Sequence, residues 1–129
     1  MLFHNTHRAG LFASFFLILI SLLSCFSIAE DAETQAIKMV QEYGKDLGGK
    51  ETISSLITLY MIYKKPRSEL GVSIRGWYSI QLEDATYLVF FSYIEGKLEK
   101  WKWQVQMKDK KIRPLDQMAE SFWRMAKIF

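Results

Sequence analysis

The chain has 129 residues, half of them apolar and 24% charged, a globular composition too short for two typical domains. Two prolines and seven glycines exclude a collagen-like or Pro/Gly-rich disordered chain. A single cysteine excludes a disulfide scaffold and any CxxC metal or redox centre, and a net charge of +3 permits an acidic partner without requiring one.

The chain opens on an address. From Ala9 to Ala29 no residue is charged, and His4, His7 and Arg8 precede that run. Its apolar centre extends from Leu11 to Leu23. A short basic end, an apolar centre of this length and a small-residue cut site have the physics of a secretory signal. Ser27-Ile28-Ala29 supplies the small residues, with cleavage expected after Ala29. Two other fates stay open. Leu22-Leu23-Ser24-Cys25 has the form of a bacterial lipobox, which would make Cys25 a lipidation site. The uncharged run of 21 residues is also long enough to remain as a membrane anchor. The expected organisation is a signal segment over 1–29 and a single α+β domain over 30–129. Its expected location is periplasmic or secreted, or membrane-anchored through the N-terminal segment alone.

Removing this segment changes the available chemistry. Both histidines and the only cysteine lie before Glu30. Of the 17 basic residues only Arg8 lies there, which leaves 16 against all 14 acidic ones.

Glu30 to Tyr43 predicts a helix, because Ala36, Ile37, Val40 and Tyr43 recur at helical spacing and acidic residues crowd its start. Gly44 or the pair Gly48-Gly49 stops it. Thr52 can cap a second helix through Tyr63, with Ile53, Leu56, Ile57 and Tyr60 on one face, although Ser54, Thr58 and Tyr60 also suit a strand. Pro66 ends it.

From Gly71 the apolar period falls to two. Alternating runs around Val72–Leu82, Tyr87–Tyr93 and Trp101–Met107, and a short run Lys111–Arg113, predict a four-stranded antiparallel meander. A tight turn at Asp84-Ala85 would pair Leu82 with Tyr87. A three-residue loop Ile94-Glu95-Gly96 would set Trp101 and Trp103 in the core, opposite Tyr87 and Val89. A final helix follows, capped by Asp116, with Met118, Phe122, Met125, Ala126 and Phe129 as its apolar stripe. The expected fold class is α+β: helices packed on the meander, with a C-terminal helix, after the signal segment.

Helices followed by an aromatic-rich meander, with Gly49 to Ile53, Trp77, Tyr87 to Tyr93, Trp101 to Val105 and Arg113 to Asp116 as marks, resemble the cystatin-like and NTF2-like small α+β proteins. More narrowly, the chain is similar to uncharacterised small secreted bacterial proteins. The resemblance implies an α+β fold over most of Glu30 to Asp116. It also implies two alternatives to a binding domain: an NTF2-like enzyme using carboxylates, or a cystatin-style inhibitor. Such folds host many functions, so the fold cannot choose among them.

Nothing among the residues argues for catalysis, and nothing excludes it. Triads need a base titrating near neutrality, normally histidine, and zinc sites draw on His and Cys. Neither residue occurs from Glu30 on. No Asp-x-Asp-x-Asp-Gly calcium loop and no complete phosphate loop is present. Glu83-Asp84 is the obvious carboxylate pair, but turn chemistry explains it. No cofactor, metal or catalytic residue is expected. Segment Lys97–Arg113 carries seven basic and two acidic residues around Trp101 and Trp103, which as a string suggests nucleic acid. Strand geometry separates the tryptophans from the lysines onto opposite faces, and export argues further against that partner.

What remains is a candidate binding face of Trp77, Leu88, Phe90, Lys100, Lys102 and Gln104. Its mixture of aromatic groups and ammonium groups suits a protein or an amphiphilic, anionic ligand. A covering helix, with lysine stems snorkelling outward, is the plainer account of Leu88 and Phe90. A homo-oligomer interface is a third. The function expected is that of an exported, non-catalytic binding or interaction domain of a bacterial envelope.

Overall fold

The computed structural model describes residues 30–128. The expected signal segment, lipidation at Cys25 and cleavage after Ala29 lie outside the described residues.

Helix α1 spans Ala32–Gln41 and buries Ala36 and Val40. It is shorter at both ends than its apolar period suggests. Past it, Gly44 adopts φ 109° and leads into a single 3-10 turn, Lys45–Leu47. Helix α2 spans Ile53–Lys64. Thr52 caps it as expected, in a reciprocal box: the Ser55 N–H donates to the Thr52 hydroxyl, and the Thr52 N–H donates to the Ser55 hydroxyl. Ile53, Ile57 and Met61 are its buried stripe, whereas Leu59, Ile62 and Tyr63 are exposed. A 3-10 turn, Lys65–Arg67, carries Pro66 out of the helix.

Four strands follow: β1 (Ser73–Glu83), β2 (Thr86–Glu95), β3 (Lys97–Gln106) and β4 (Lys111–Pro114). They form one antiparallel meander in chain order. Helix α3, Gln117–Ile128, closes the fold. Asp116 caps it by accepting the Ala119 N–H at 2.8 Å, and its other carboxylate oxygen accepts the Lys102 N–H at 2.7 Å. One side chain therefore both starts the helix and occupies a backbone donor of β3 past the end of β4.

All three helices feed the core on one face of the sheet. Val89, Phe91 and Tyr93 of β2 and Trp101, Trp103 and Val105 of β3 meet Val40, Ile53, Ile57, Phe122 and Ala126 there. Trp103 is wholly buried, and its indole N–H donates to the Ala119 carbonyl at 3.2 Å, which anchors α3 to the sheet. Trp101 sits in an aromatic cluster with Tyr60, Phe91, Tyr93 and Phe122, at centroid separations of 5.0–5.6 Å.

Two details of register differ from the sequence expectation. The β2–β3 hairpin closes around Gly96, at φ 73°, so that Ile94 faces Leu98. The pairing is thereby displaced by two residues: Trp103 lies opposite Val89, Trp101 opposite Phe91, and Tyr87 opposite Val105. A shift of two keeps the face, because side chains alternate with that period, so both tryptophans still reach the core. The β1–β2 hairpin has the larger consequence. Its tight turn at Asp84-Ala85 forms, with Glu83 facing Thr86, but a bulge then inserts Leu82 as an extra residue. Tyr87 consequently pairs with Gln81, not Leu82, and the side chains of β1 from Gln81 back to Gly76 are exchanged between the two faces, until a second irregularity at Arg75 restores the facing of Ile74 and Ser73.

Candidate binding face

The bulge decides which side chains of β1 look outward. Trp77 was expected beside Leu88 and Phe90, and it lies on the opposite face. It pairs with Phe91 and packs its ring against Phe91 at 5.3 Å and Trp103 at 5.6 Å. Ser79 follows it inward, and its hydroxyl donates to the Glu33 carbonyl at 3.1 Å. Tyr78 takes the outward place, stacked on Phe90 with centroids 4.7 Å apart and planes 9° from parallel. Sequence reasoning missed Tyr78 because a one-residue bulge carries no periodic signal. The left-handed Gly76, at φ 97° beside a second irregularity between Ile74 and Gly76, was the available hint that β1 is not regular.

The other five expected residues share the face opposite the described helices. Tyr78 faces Phe90, which faces Lys102; Ile80 faces Leu88, which faces Gln104, which faces Arg113; Ser92 faces Lys100; Gln106 faces Lys111. None of the three described helices explains the burial of Phe90. This ring is 7% exposed yet stands outside the cluster that the helices complete. Its cover comes from neighbouring strands, with Tyr78 stacked on it and the Lys100 ammonium 5.7 Å from its centroid and 5.8 Å from that of Tyr78. Such cation–aromatic contacts at an exposed site contribute roughly 0.5–1 kcal/mol each. They also keep the ammonium over the rings and leave its outward side to solvent.

Polarity on this face runs across the strands. On β1 and β2 it is apolar, with Tyr78, Ile80, Leu88 and Phe90; on β3 and β4 it carries Lys100, Lys102, Lys111 and Arg113, all exposed. The Glu83 carboxylate shares the face only at its corner, opposite Thr86. At the β4 side the face runs into a groove of about 320 Å³, lined by Tyr43, Gln104, Gln106, Lys111, Ile112, Arg113 and Trp123. Tyr43 and Trp123 stack there at 5.9 Å. Burial pushes the Tyr43 phenol above its ordinary pKa, so its hydroxyl is a donor at neutral pH.

A different cluster lies at the far end of the sheet. Lys64 meets Glu95 at 2.9 Å, with both side chains about three-quarters covered. Beside Glu95 stand the Ser68 hydroxyl, close to the carboxylate but outside strict hydrogen-bond geometry, and the Lys64 ammonium; they hold its pKa below the ordinary carboxylate range. The Glu95 carboxylate in turn raises Lys64 above the ordinary lysine range. An ion pair with both members settled in their charged forms is a clamp between α2 and β2, not an acid–base couple.

Among the described residues no group of three His, Cys, Asp or Glu side chains could hold a metal ion, and no helix is long and apolar enough to cross a membrane. Compared with known protein families, with curated proteins and with solved structures, the chain gives no match.

Proposed function

We propose that this chain is an exported, non-catalytic binding domain of a bacterial envelope, and that the sheet face opposite its described helices takes an anionic amphiphile. One observation carries the reading. The row Ile80, Leu88, Gln104, Arg113 crosses all four strands and passes from apolar to cationic. With strands about 4.8 Å apart, that gradient extends over about 14 Å, the scale of one small amphiphilic molecule. The apolar half gives area to bury, and the four cations give attraction to an anion and discrimination against a cation. Export rests on the signal character of residues 1–29, and the absence of catalysis on a chain that has neither histidine nor cysteine from Glu30 on.

The test is titration of the full chain with dodecyl phosphate below its micelle concentration, followed by calorimetry and backbone amide shifts. Saturable binding is expected, with shifts concentrated at Leu88, Phe90, Lys100 and Lys102. Phe90→Gln should weaken it at least tenfold, and Lys100→Gln with Lys102→Gln, which keeps the whole buried core, should do so too. Shifts confined to the helices, or equal binding by all variants, would overturn the proposal. Because residues 1–29 are the same in every variant, their own affinity for the probe cancels from the comparison.

A further inference from the structure

Resting on that reading, we infer that the anionic head of the bound amphiphile sits in the β4 groove, between Lys111 and Arg113 and against Gln104, Gln106, Tyr43 and Trp123. The sheet face alone does not say which of its cations takes the charge. Lys100 is already drawn over the rings of Tyr78 and Phe90, so it stands above the apolar half. The groove at β4 differs in kind. It is concave, it lies at the cationic end of the polarity gradient, and none of its lining residues is a carboxylate.

The donors in it suit an oxyanion with several oxygens, a phosphate or a sulfate ester in preference to a single carboxylate. Arg113 offers a planar fork of N–H groups and Lys111 a compact point charge, a pair that serves two oxygens at once. Gln104 and Gln106 add carboxamide N–H donors from the same face. The Tyr43 hydroxyl stays protonated and can donate. Trp123 contributes its ring to the wall, and its buried indole nitrogen has no acceptor among the described residues. The neighbouring cavity of about 400 Å³, which shares Tyr43 and Ile112, makes the contrast. Glu42 and Asp46 line it, and their charge would repel the same head.

Geometry connects the groove to the tail. Gln104 lines the groove and is paired on β3 with Leu88 on β2, which in turn is paired with the exposed Ile80 on β1. A single chain leaving the groove over Gln104 would pass directly onto the apolar half. The occupant to which this commits the site is a phosphate-headed lipid, not free phosphate: the cations alone would take either, but only the lipid uses Ile80, Leu88 and Phe90.

The experiment uses the full chain and four probes: dodecyl phosphate, dodecyl sulfate, the uncharged dodecyl maltoside, and inorganic phosphate. The double variant Lys111→Gln with Arg113→Gln should lose at least tenfold in affinity for dodecyl phosphate and keep its affinity for dodecyl maltoside. The control Lys108→Gln with Lys110→Gln removes the same two units of charge outside the groove lining and should leave all affinities within twofold. If this control costs as much as the groove variant, net charge and not the groove is responsible, and the inference fails. Full binding of dodecyl phosphate by the double variant, with loss in Phe90→Gln, overturns the head-group site and leaves the sheet-face function standing. Inorganic phosphate bound as tightly as dodecyl phosphate overturns the lipid as occupant. Unchanged binding in both variants removes the proposed function itself.

Discussion

Single residues carry more of this fold than their number suggests. Asp116 is the readable kind: an aspartate before an amphipathic run, found capping α3 as its position implies. Its second bond, to the Lys102 N–H, was not readable, because it depends on where β4 stops against β3. Gly44 is similar. Sequence marks it as a place where a helix ends, yet its necessity is tertiary. At φ 109° a side chain is strained, and a Cβ there would stand 2.5 Å from the Glu51 carbonyl oxygen and 3.2 Å from the Ala126 Cβ. Neither neighbour can yield cheaply, since one is backbone and the other belongs to the packed face of α3. Gly44→Ala should therefore cost about 3 kcal/mol or more, compared with about 1 kcal/mol for a left-handed position in open space. Gly48→Ala is that control, at φ 74° with nothing within 4 Å. Urea unfolding of the two variants checks it, and equal losses would show that the close approach at Gly44 is relieved by movement of α3.

At the scale of elements, existence and type were legible, and facing was legible only where the strands are regular. Helices α2 and α3, all four strands and the inward tryptophans of β3 follow from periodicity and turn chemistry. The outward face of β1 does not, because Leu82 occupies a bulge that reverses the alternation, and this alone exchanged Trp77 for Tyr78 in the candidate site. A period-two reading integrates every residue between two turns and has no means of discounting one. The clamp between elements was equally invisible, since Lys64 and Glu95 lie thirty-one positions apart in the sequence. Its pH behaviour follows from the two shifts. Glu95 is depressed, so its contribution is present above the ordinary carboxylate pKa and is lost as pH falls through the lower, folded value. Lys64 is raised, so its contribution is present below the ordinary lysine pKa and is lost as pH climbs through the higher, folded value. The pair thus supports the fold across the whole neutral range and fails at both extremes. Lys64→Met should flatten the stability profile at both limbs relative to wild type, as read by thermal melts from pH 3 to 11. A profile altered on the alkaline side alone would mean that Ser68 and not Lys64 governs Glu95.

On the proposed reading, the domain separates stability from recognition by placing them on opposite faces of one sheet. Trp103 belongs to the first. It is fully buried, it holds α3 through the Ala119 carbonyl, and its removal leaves a sealed void. Phe90 belongs to the second. It is nearly as covered, but by Tyr78 and Lys100, exposed-face side chains that can settle into the space it leaves. Area alone would rank the two residues together; what surrounds them sets them apart. Trp103→Ala should cost about 3–5 kcal/mol, as for a core aromatic with a residual cavity. Phe90→Ala should cost about 1–2 kcal/mol, close to the transfer of its own surface with little cavity added. Ligand linkage then inverts the order. A ligand that binds only the folded chain raises its melting temperature in proportion to occupancy, so saturating dodecyl phosphate should stabilise wild type and Trp103→Ala by similar amounts and Phe90→Ala by much less. Thermal melts of the three proteins, with and without the probe, read both halves at once. If Phe90→Ala destabilises as much as Trp103→Ala and both lose the ligand-induced shift together, the outward ring is part of the core, and the division of labour between the two faces does not exist.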